Sequence, residues 1–330
     1  MIFKIVSVLT LLSLPLFVEA IFGGKDVTDP HQYPWMVKVS IWYNDRYRAM
    51  SFSRGCGGSI ISKTVVMTAA HCVKKQNGNV AKHVRISVGH SNLNSDEIVD
   101  IVVEAIKIHP QYTGKITLWE NDIALLKLSK ELQFKKSIQP IDLPNQDYTD
   151  AILLDTSKTK LIAAGWGRAF QISEEEVKPY RDKGFNTPQS IKEFLKWHKN
   201  FTKKAKTTKN LKFLELYYQT PEECIRVIKI MLPFFTRIVN TNKLKMGTIF
   251  VSGKVPEIQS ACNGDSGGPL MRQDLVTGDI QVIGIASIVY SGCSTVLSNS
   301  FTKVFRHVQW IHENSDLSRG DHYLKRKWLK

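Results

Sequence analysis

Three short stretches carry side chains that together could break an acyl bond. In Cys262-Asn263-Gly264-Asp265-Ser266-Gly267-Gly268-Pro269-Leu270 a serine stands between an aspartate and two glycines. A turn of that composition can expose the hydroxyl and let a substrate backbone approach. Serine is a poor nucleophile at neutral pH, so a base must take its proton as it attacks. Thr68-Ala69-Ala70-His71-Cys72 supplies a histidine for that task, which could then return the proton to a leaving amine. Asn121-Asp122-Ile123-Ala124-Leu125-Leu126 supplies a carboxylate that could fix the imidazole tautomer and stabilise its cation. Each stretch alone has a plainer explanation: a glycine-rich β-turn, a core histidine, a turn aspartate. Together they hold the groups that nucleophilic acyl transfer requires.

Such groups need a frame. The runs Trp35 to Ile41, Val65 to Met67, Ile86 to Val88 and Ile123 to Leu128 are rich in β-branched residues, with Gly, Pro, Asn and Asp clusters between them. Repeated short strands with such punctuation suggest β-barrels or a sandwich. Val304, Val308 and Ile311 recur at helical spacing, so a C-terminal helix is expected, followed by a loose basic tail through Lys325-Arg326-Lys327. A chain of 330 residues is long enough for two domains. Met1 to Ala20 reads as a signal peptide, with Lys4 as its positive start, Ile5 to Phe17 as its apolar stretch and Val18-Glu19-Ala20 as its cleavage site. That apolar stretch is too short to span a bilayer, and no later one is long enough, so a secreted, soluble, extracellular protein is expected. Loss of Lys4 and Glu19 together leaves the formal net charge at +15, which favours acidic proteins, glycosaminoglycans or anionic surfaces as partners. No nucleic-acid module with the expected spacing is present.

The order His71, Asp122, Ser266, with Ile21-Phe22-Gly23-Gly24 near the start, resembles a chymotrypsin-family serine protease from Ile21 to about Trp310. The resemblance implies an all-β fold of two six-stranded antiparallel β-barrels with the active site in the cleft between them. The first barrel would span about 21–134. Residues 135–150, with Pro140 and Pro144, would cross to a second barrel at about 151–303. A helix at about 304–314 would complete a protease domain of 21–316, leaving 317–330 as the tail. The implied activity is that of a serine endopeptidase acting on proteins or peptides, meeting protein inhibitors and using no cofactor. His71, Asp122 and Ser266 would be catalytic, Ser287 would support Asp122, and the amides of Gly264 and Ser266 would form the oxyanion hole. A freed Ile21 ammonium would pair with Asp265; signal-peptide cleavage after Ala20 would expose it directly, without an ordinary zymogen stage. Phe22 stands where valine is commoner. Disulfides Cys56–Cys72 and Cys262–Cys293 are implied. The fifth cysteine, Cys224, has Val251 near its usual partner's place, leaving either a buried thiol or a link to another chain.

The chain also departs from the family. Ser260, six residues before Ser266, falls at the floor of the substrate pocket, so a preference for Arg or Lys is not expected. Ile288 replaces a tryptophan, and Val289 and Asn299 stand where open pockets have glycine. Such a pocket would take small residues or be effectively closed, and a closed one would suit a protease-shaped binding protein with little turnover. His90 occupies the place of an acid in the family's calcium loop, and Asp96 and Glu97 look like a solvated turn, so no metal is expected. Between Gly165-Trp166-Gly167 and Cys224 lie 56 residues, more than the family usually places there. In this 168–215 insertion, Thr187-Pro188 is a plausible helix start, with Ile191, Phe194 and Leu195 on one face. Residues 196–212 hold seven lysines, no acid and the sequon at Asn200. They read either as a solvated, glycosylated surface or as an exosite on the leaving-group side. Thr220-Pro221-Glu222-Glu223 makes a capping box for a helix carrying Cys224, and Arg46, Arg48 and Arg54 form another basic loop.

Overall fold

Alternation of inward and outward side chains builds two sheets that each close on themselves. The computed structural model describes residues 24–45, 48–114, 120–169, 189, 193, 196, 206–222, 224–225, 241–253, 260–288 and 299–316. In chain order these form β1 (Lys25–Asp26), β2 (Met36–Asp45), β3 (Arg48–Ile60), β4 (Val65–Thr68), α1 (Ala70–Val73), β5 (His83–Val88), β6 (Val99–Ile108) and β7 (Ala124–Leu128). There follow α2 (Asp150–Leu154), β8 (Thr159–Gly165), β9 (Arg168–Ala169), β10 (Lys206–Thr207), β11 (Lys212–Gln219), α3 (Thr241–Gly247) and β12 (Thr248–Ser252). β13 (Pro269–Asp274), β14 (Ile280–Ile288), β15 (Asn299–Lys303), a 3-10 turn (Val304–His307) and α4 (Val308–Glu313) complete the order.

The first antiparallel barrel closes in the order β2-β3-β4-β7-β6-β5. The second runs β11-β12-β15-β14-β13-β8 and closes through β8 on β11, with β1 added at the outer edge of β11. Strand periodicity explains both how each barrel fills and how the two meet. In β11 the alternate residues Leu214, Leu216 and Tyr218 fill the second barrel. In β8 Leu161 and Ala163 point the same way, whereas Ile162 and Ala164 join the core that continues into the first barrel. Ile138, Ile141 and Leu143 line the crossing between barrels as part of that shared core. The strands expected from sequence are present, and the Ile86 run extends back to His83. The C-terminal segment differs in its first turn, which is 3-10 rather than α. The tighter turn buries His307 beside Val304 and Ile311, with Val308 only partly covered.

β1 is stitched to the second barrel by the Val27 amide on the Leu211 carbonyl at 3.0 Å. The buried Lys212 reaches Asp26 Oδ1 at 2.8 Å.

Candidate active site

His71 lies in α1, a single turn pinned to β3 by the Cys56–Cys72 disulfide. The Tyr43 hydroxyl adds a bond of 3.0 Å to the Cys72 carbonyl. Asp122 follows Asn121, which holds a left-handed φ of 55° that asparagine tolerates better than most residues. The Asn121 side chain fastens this turn to the Gln111 carbonyl at 3.1 Å.

The Asp122 side chain is fully buried and gathers three donors. The His71 amide reaches Oδ1 at 2.8 Å, His71 Nδ1 reaches Oδ2 at 2.7 Å, and Ser287 Oγ reaches Oδ2 at 2.6 Å. An ionised carboxylate only accepts, so this pairing places the imidazole proton on Nδ1 and leaves Nε2 as the acceptor. Thr302 Oγ1 holds the Asp122 carbonyl at 3.2 Å. His71 and Asp122 come from the first barrel, Ser287 and Thr302 from the second. The site therefore depends on how the barrels pack.

Ser266 sits in a turn whose neighbouring amides are occupied. Asp265 N bonds the Cys262 carbonyl at 3.0 Å, Gly267 N that of Ala286 at 2.7 Å, and Gly268 N that of Asp265 at 2.9 Å. Gly57 N, from the first barrel, takes the Ser266 carbonyl at 2.7 Å. Among the described residues the amides of Gly264 and Ser266 donate to nothing, which leaves two donors available beside the hydroxyl. Gly264 has a φ of +106°, and a Cβ there would lie 2.9 Å from the Gly167 Cα, so a side chain is excluded on both counts. His71 and Ser266 line one cleft of about 870 Å³. Among the described residues no hydrogen bond joins them, a common state before substrate arrives.

Asp265 does not line that cleft and is buried at 3% exposure. Gly167 N donates to its Oδ1 and Cys262 N to its Oδ2, both at 2.8 Å. Burial nevertheless pushes its carboxyl up to about 6, against the downward pull of those amides and of Lys38. A side chain at Gly167 would collide with this carboxylate, so the Gly-Trp-Gly stretch forms its wall. Ile21, the expected cationic partner, and Phe22 lie outside the described residues.

Of the residues expected at the substrate pocket, Ser260 and Asn299 are both buried and meet directly. Asn299 Nδ2 donates to Ser260 Oγ at 3.0 Å, and that hydroxyl lies 2.9 Å from the Ala261 carbonyl. The asparagine side chain therefore lies against the residue expected at the pocket floor. Ile288, at the end of β14, is buried at 7% exposure, and Val289 lies outside the described residues.

The sulfurs of Cys56 and Cys72, close to His71, are bonded to each other and cannot act as thiolate ligands to a metal. Cys262 is disulfide-bonded, and its expected partner Cys293 lies outside the described residues. Cys224 is buried, in a helical stretch where its amide meets the Thr220 carbonyl at 3.2 Å. In the turn expected to differ from a calcium loop, His90 Nδ1 accepts the Asn92 amide at 2.9 Å. The signal segment, Arg46, Asn200, most of the insertion and the tail also fall outside the described residues. Three cleft cations, Lys38, Arg168 and Lys209, were not singled out as site residues from sequence. The lysine run at 196–212 pointed toward Lys209, and a charge inside the apolar run Trp35 to Ile41 is the signal for Lys38.

The family model described as Trypsin matches residues 21–182 and 193–311. The clotting factor G beta subunit of Tachypleus tridentatus is 28% identical over 304 residues, covering 91% of this chain and 80% of that protein. Phenoloxidase-activating factor 3 of Holotrichia diomphalia is 30% identical over 312 residues, covering 89% and 72%. Chymotrypsin-C of Mus musculus is 28% identical over 308 residues, covering 92% and 91%.

Proposed function

The chain belongs to the trypsin family of serine endopeptidases, and within it we propose a secreted enzyme of narrow specificity that cleaves peptide bonds through Ser266, His71 and Asp122. His71 Nε2 takes the hydroxyl proton as Ser266 attacks the carbonyl carbon, and an acyl-enzyme forms when the amine leaves with that proton. Asp122 holds the ring and stabilises its cation, with Ser287 orienting the carboxylate. The amides of Gly264 and Ser266 receive the negative charge that develops on the carbonyl oxygen. The observation that carries this reading is the buried Asp122 carboxylate, which joins His71 and Ser287 across the barrel interface.

Asn299 against Ser260 supports a short pocket for a small acyl-side residue. The same contact favours a second reading, a protease-shaped binding protein with little turnover. The lysine-rich insertion supports acidic protein partners, and no helix among the described residues is long and apolar enough to cross a membrane. The test is a peptide library offered to the wild type and to His71→Ala. Cleavage after alanine or similarly small residues, abolished in the variant, supports the enzyme. Cleavage after arginine would overturn the pocket assignment, and an uncut library would favour the binding protein.

A further inference from the structure

The cleft beside His71 and Ser266 is lined by four cationic side chains, Lys38, Arg54, Arg168 and Lys209, and by one carboxylate, Asp100. That carboxylate is already engaged, accepting Ser87 Oγ at 2.5 Å and lying 3.9 Å from Arg85 Nη1. Among the described residues none of the four cations forms an ion pair with a carboxylate. Burial holds the Lys38 ammonium below its ordinary pKa; Asp265 pulls it upward and Lys209 pushes it further down.

The four charges are mounted on the frame. Lys38 lies in β2 opposite Ser87 of β5. Arg54 Nη1 donates to the His71 carbonyl at 2.9 Å, which sets its guanidinium at the cleft edge. The Arg168 amide is tied to the Asn263 carbonyl at 2.7 Å, within the turn that carries Ser266. The Lys209 carbonyl accepts the Leu93 amide at 2.9 Å, and Leu211 N bonds the Ser91 carbonyl at 2.7 Å, so this strand approach is stapled to the first barrel. Ser260, Ile288 and Asn299 do not line this cleft. A peptide whose acyl-side residue meets Asn299 therefore leaves its continuation, past the scissile bond, to the basic space.

A concave site lined by cations with no ion-pair partner among the described residues focuses a positive potential, and opposite charge across a contact selects partners. We infer that this cleft selects peptides with acidic residues in the first few positions after the scissile bond, with Lys38, Arg54, Arg168 and Lys209 as the specificity-determining residues. The inference rests on the endopeptidase reading for the direction of the chain. A peptide is favoured over a polysaccharide because the charges line the cleft that holds Ser266 itself.

The experiment uses Ser266→Ala protein, so that binding does not depend on turnover. Two fluorescent peptides share an alanine before the scissile bond and continue with either two aspartates or two lysines. The acidic peptide is expected to bind tighter by about tenfold or more at low ionic strength, with the gap narrowing as salt rises. Adding Arg168→Glu/Lys209→Glu should erase or invert the preference. Lys130→Glu/Lys136→Glu makes the same charge change at exposed positions outside the cleft and should preserve it. Equal binding of the two peptides overturns the inference. So does a preference that survives Arg168→Glu/Lys209→Glu, or one lost equally in the control, which is the pattern of a diffuse polyanion-binding surface. Fluorophosphonate labelling of the wild type, scored in parallel, reports on the endopeptidase reading alone. Its absence sinks that reading, while the titration still decides the charge selectivity.

Discussion

Asn299→Gly should widen the acyl pocket at a tolerable cost in stability. The side chain is buried at 1% exposure and shares two contacts with Ser260, at 3.0 and 3.2 Å. Ser260 Oγ has a single proton to give, so the net loss is the one bond it accepts from Asn299 Nδ2, about 0.5–1.5 kcal/mol. Ser260 Oγ keeps the Ala261 carbonyl at 2.9 Å, so no buried hydroxyl is orphaned. Glycine within β15 adds about 0.5–1 kcal/mol. The total, about 1–2.5 kcal/mol, lies below the roughly 5–15 kcal/mol that holds a typical domain folded. Against this, fully burying a substrate leucine or phenylalanine yields about 1.5–3 kcal/mol, or roughly ten- to a hundredfold in kcat/KM. The assay is kcat/KM for a peptide series with alanine, valine, leucine or phenylalanine at the acyl position, read with denaturant unfolding of the same preparations. The wild type should favour alanine. Asn299→Gly should raise the larger residues by about tenfold, and Val289→Gly/Asn299→Gly should raise them further. A folded Asn299→Gly protein whose alanine-to-phenylalanine ratio is unchanged would refute the argument that this side chain bounds the pocket.

Ser287→Ala removes a donor to the Asp122 carboxylate and should lower kcat/KM about tenfold through kcat, with KM little changed, since such a bond to a charged group is worth about 1.5–3 kcal/mol. Replacing both Cys56 and Cys72 by alanine frees a loop closed at a sequence separation of 16 and should cost about 3 kcal/mol in denaturant unfolding. Asp265 gives a pH signature. Its carboxyl is raised by burial from 3.8 to about 6, so the folded state holds this proton more tightly than the unfolded chain. The associated stability is full below about pH 4 and is lost as pH rises through about 6, a change of about 3 kcal/mol that Asp265→Asn should remove. In a chain beginning at Ile21, insertion of the ammonium beside Asp265 should push the carboxyl back down and flatten this slope, and acetylating that terminus should restore it.

What the sequence made legible depended on how local the signal was. The Ser266 turn could be read because glycines on both sides of a serine restrict the backbone within a few residues. Leu214, Leu216 and Tyr218 alternate at a strand's own period, so β11 is visible without knowing its partners. Ser287 lies 165 residues from Asp122, and only the family resemblance linked them before their 2.6 Å contact was seen. The same holds for Asn299 on Ser260, where sequence suggested filled space but not the hydrogen bond that fills it. Lys38, Arg168 and Lys209 were harder still, because they come from β2, β9 and the approach to β11, and only barrel packing brings them to one cleft. The 3-10 turn at Val304–His307 escaped because Val304, Val308 and Ile311 fit an α-helical period equally well.

The central claim is that Ser266 is an activated nucleophile. Labelling of the purified protein by a fluorophosphonate probe tests it most directly, because the probe needs the serine, its base and the oxyanion donors but little of the acyl pocket. Labelling of the wild type that vanishes in Ser266→Ala and falls sharply in His71→Ala is the predicted result. A folded protein with Ile21 confirmed as its first residue that takes up no probe would contradict the account and favour the protease-shaped binding protein.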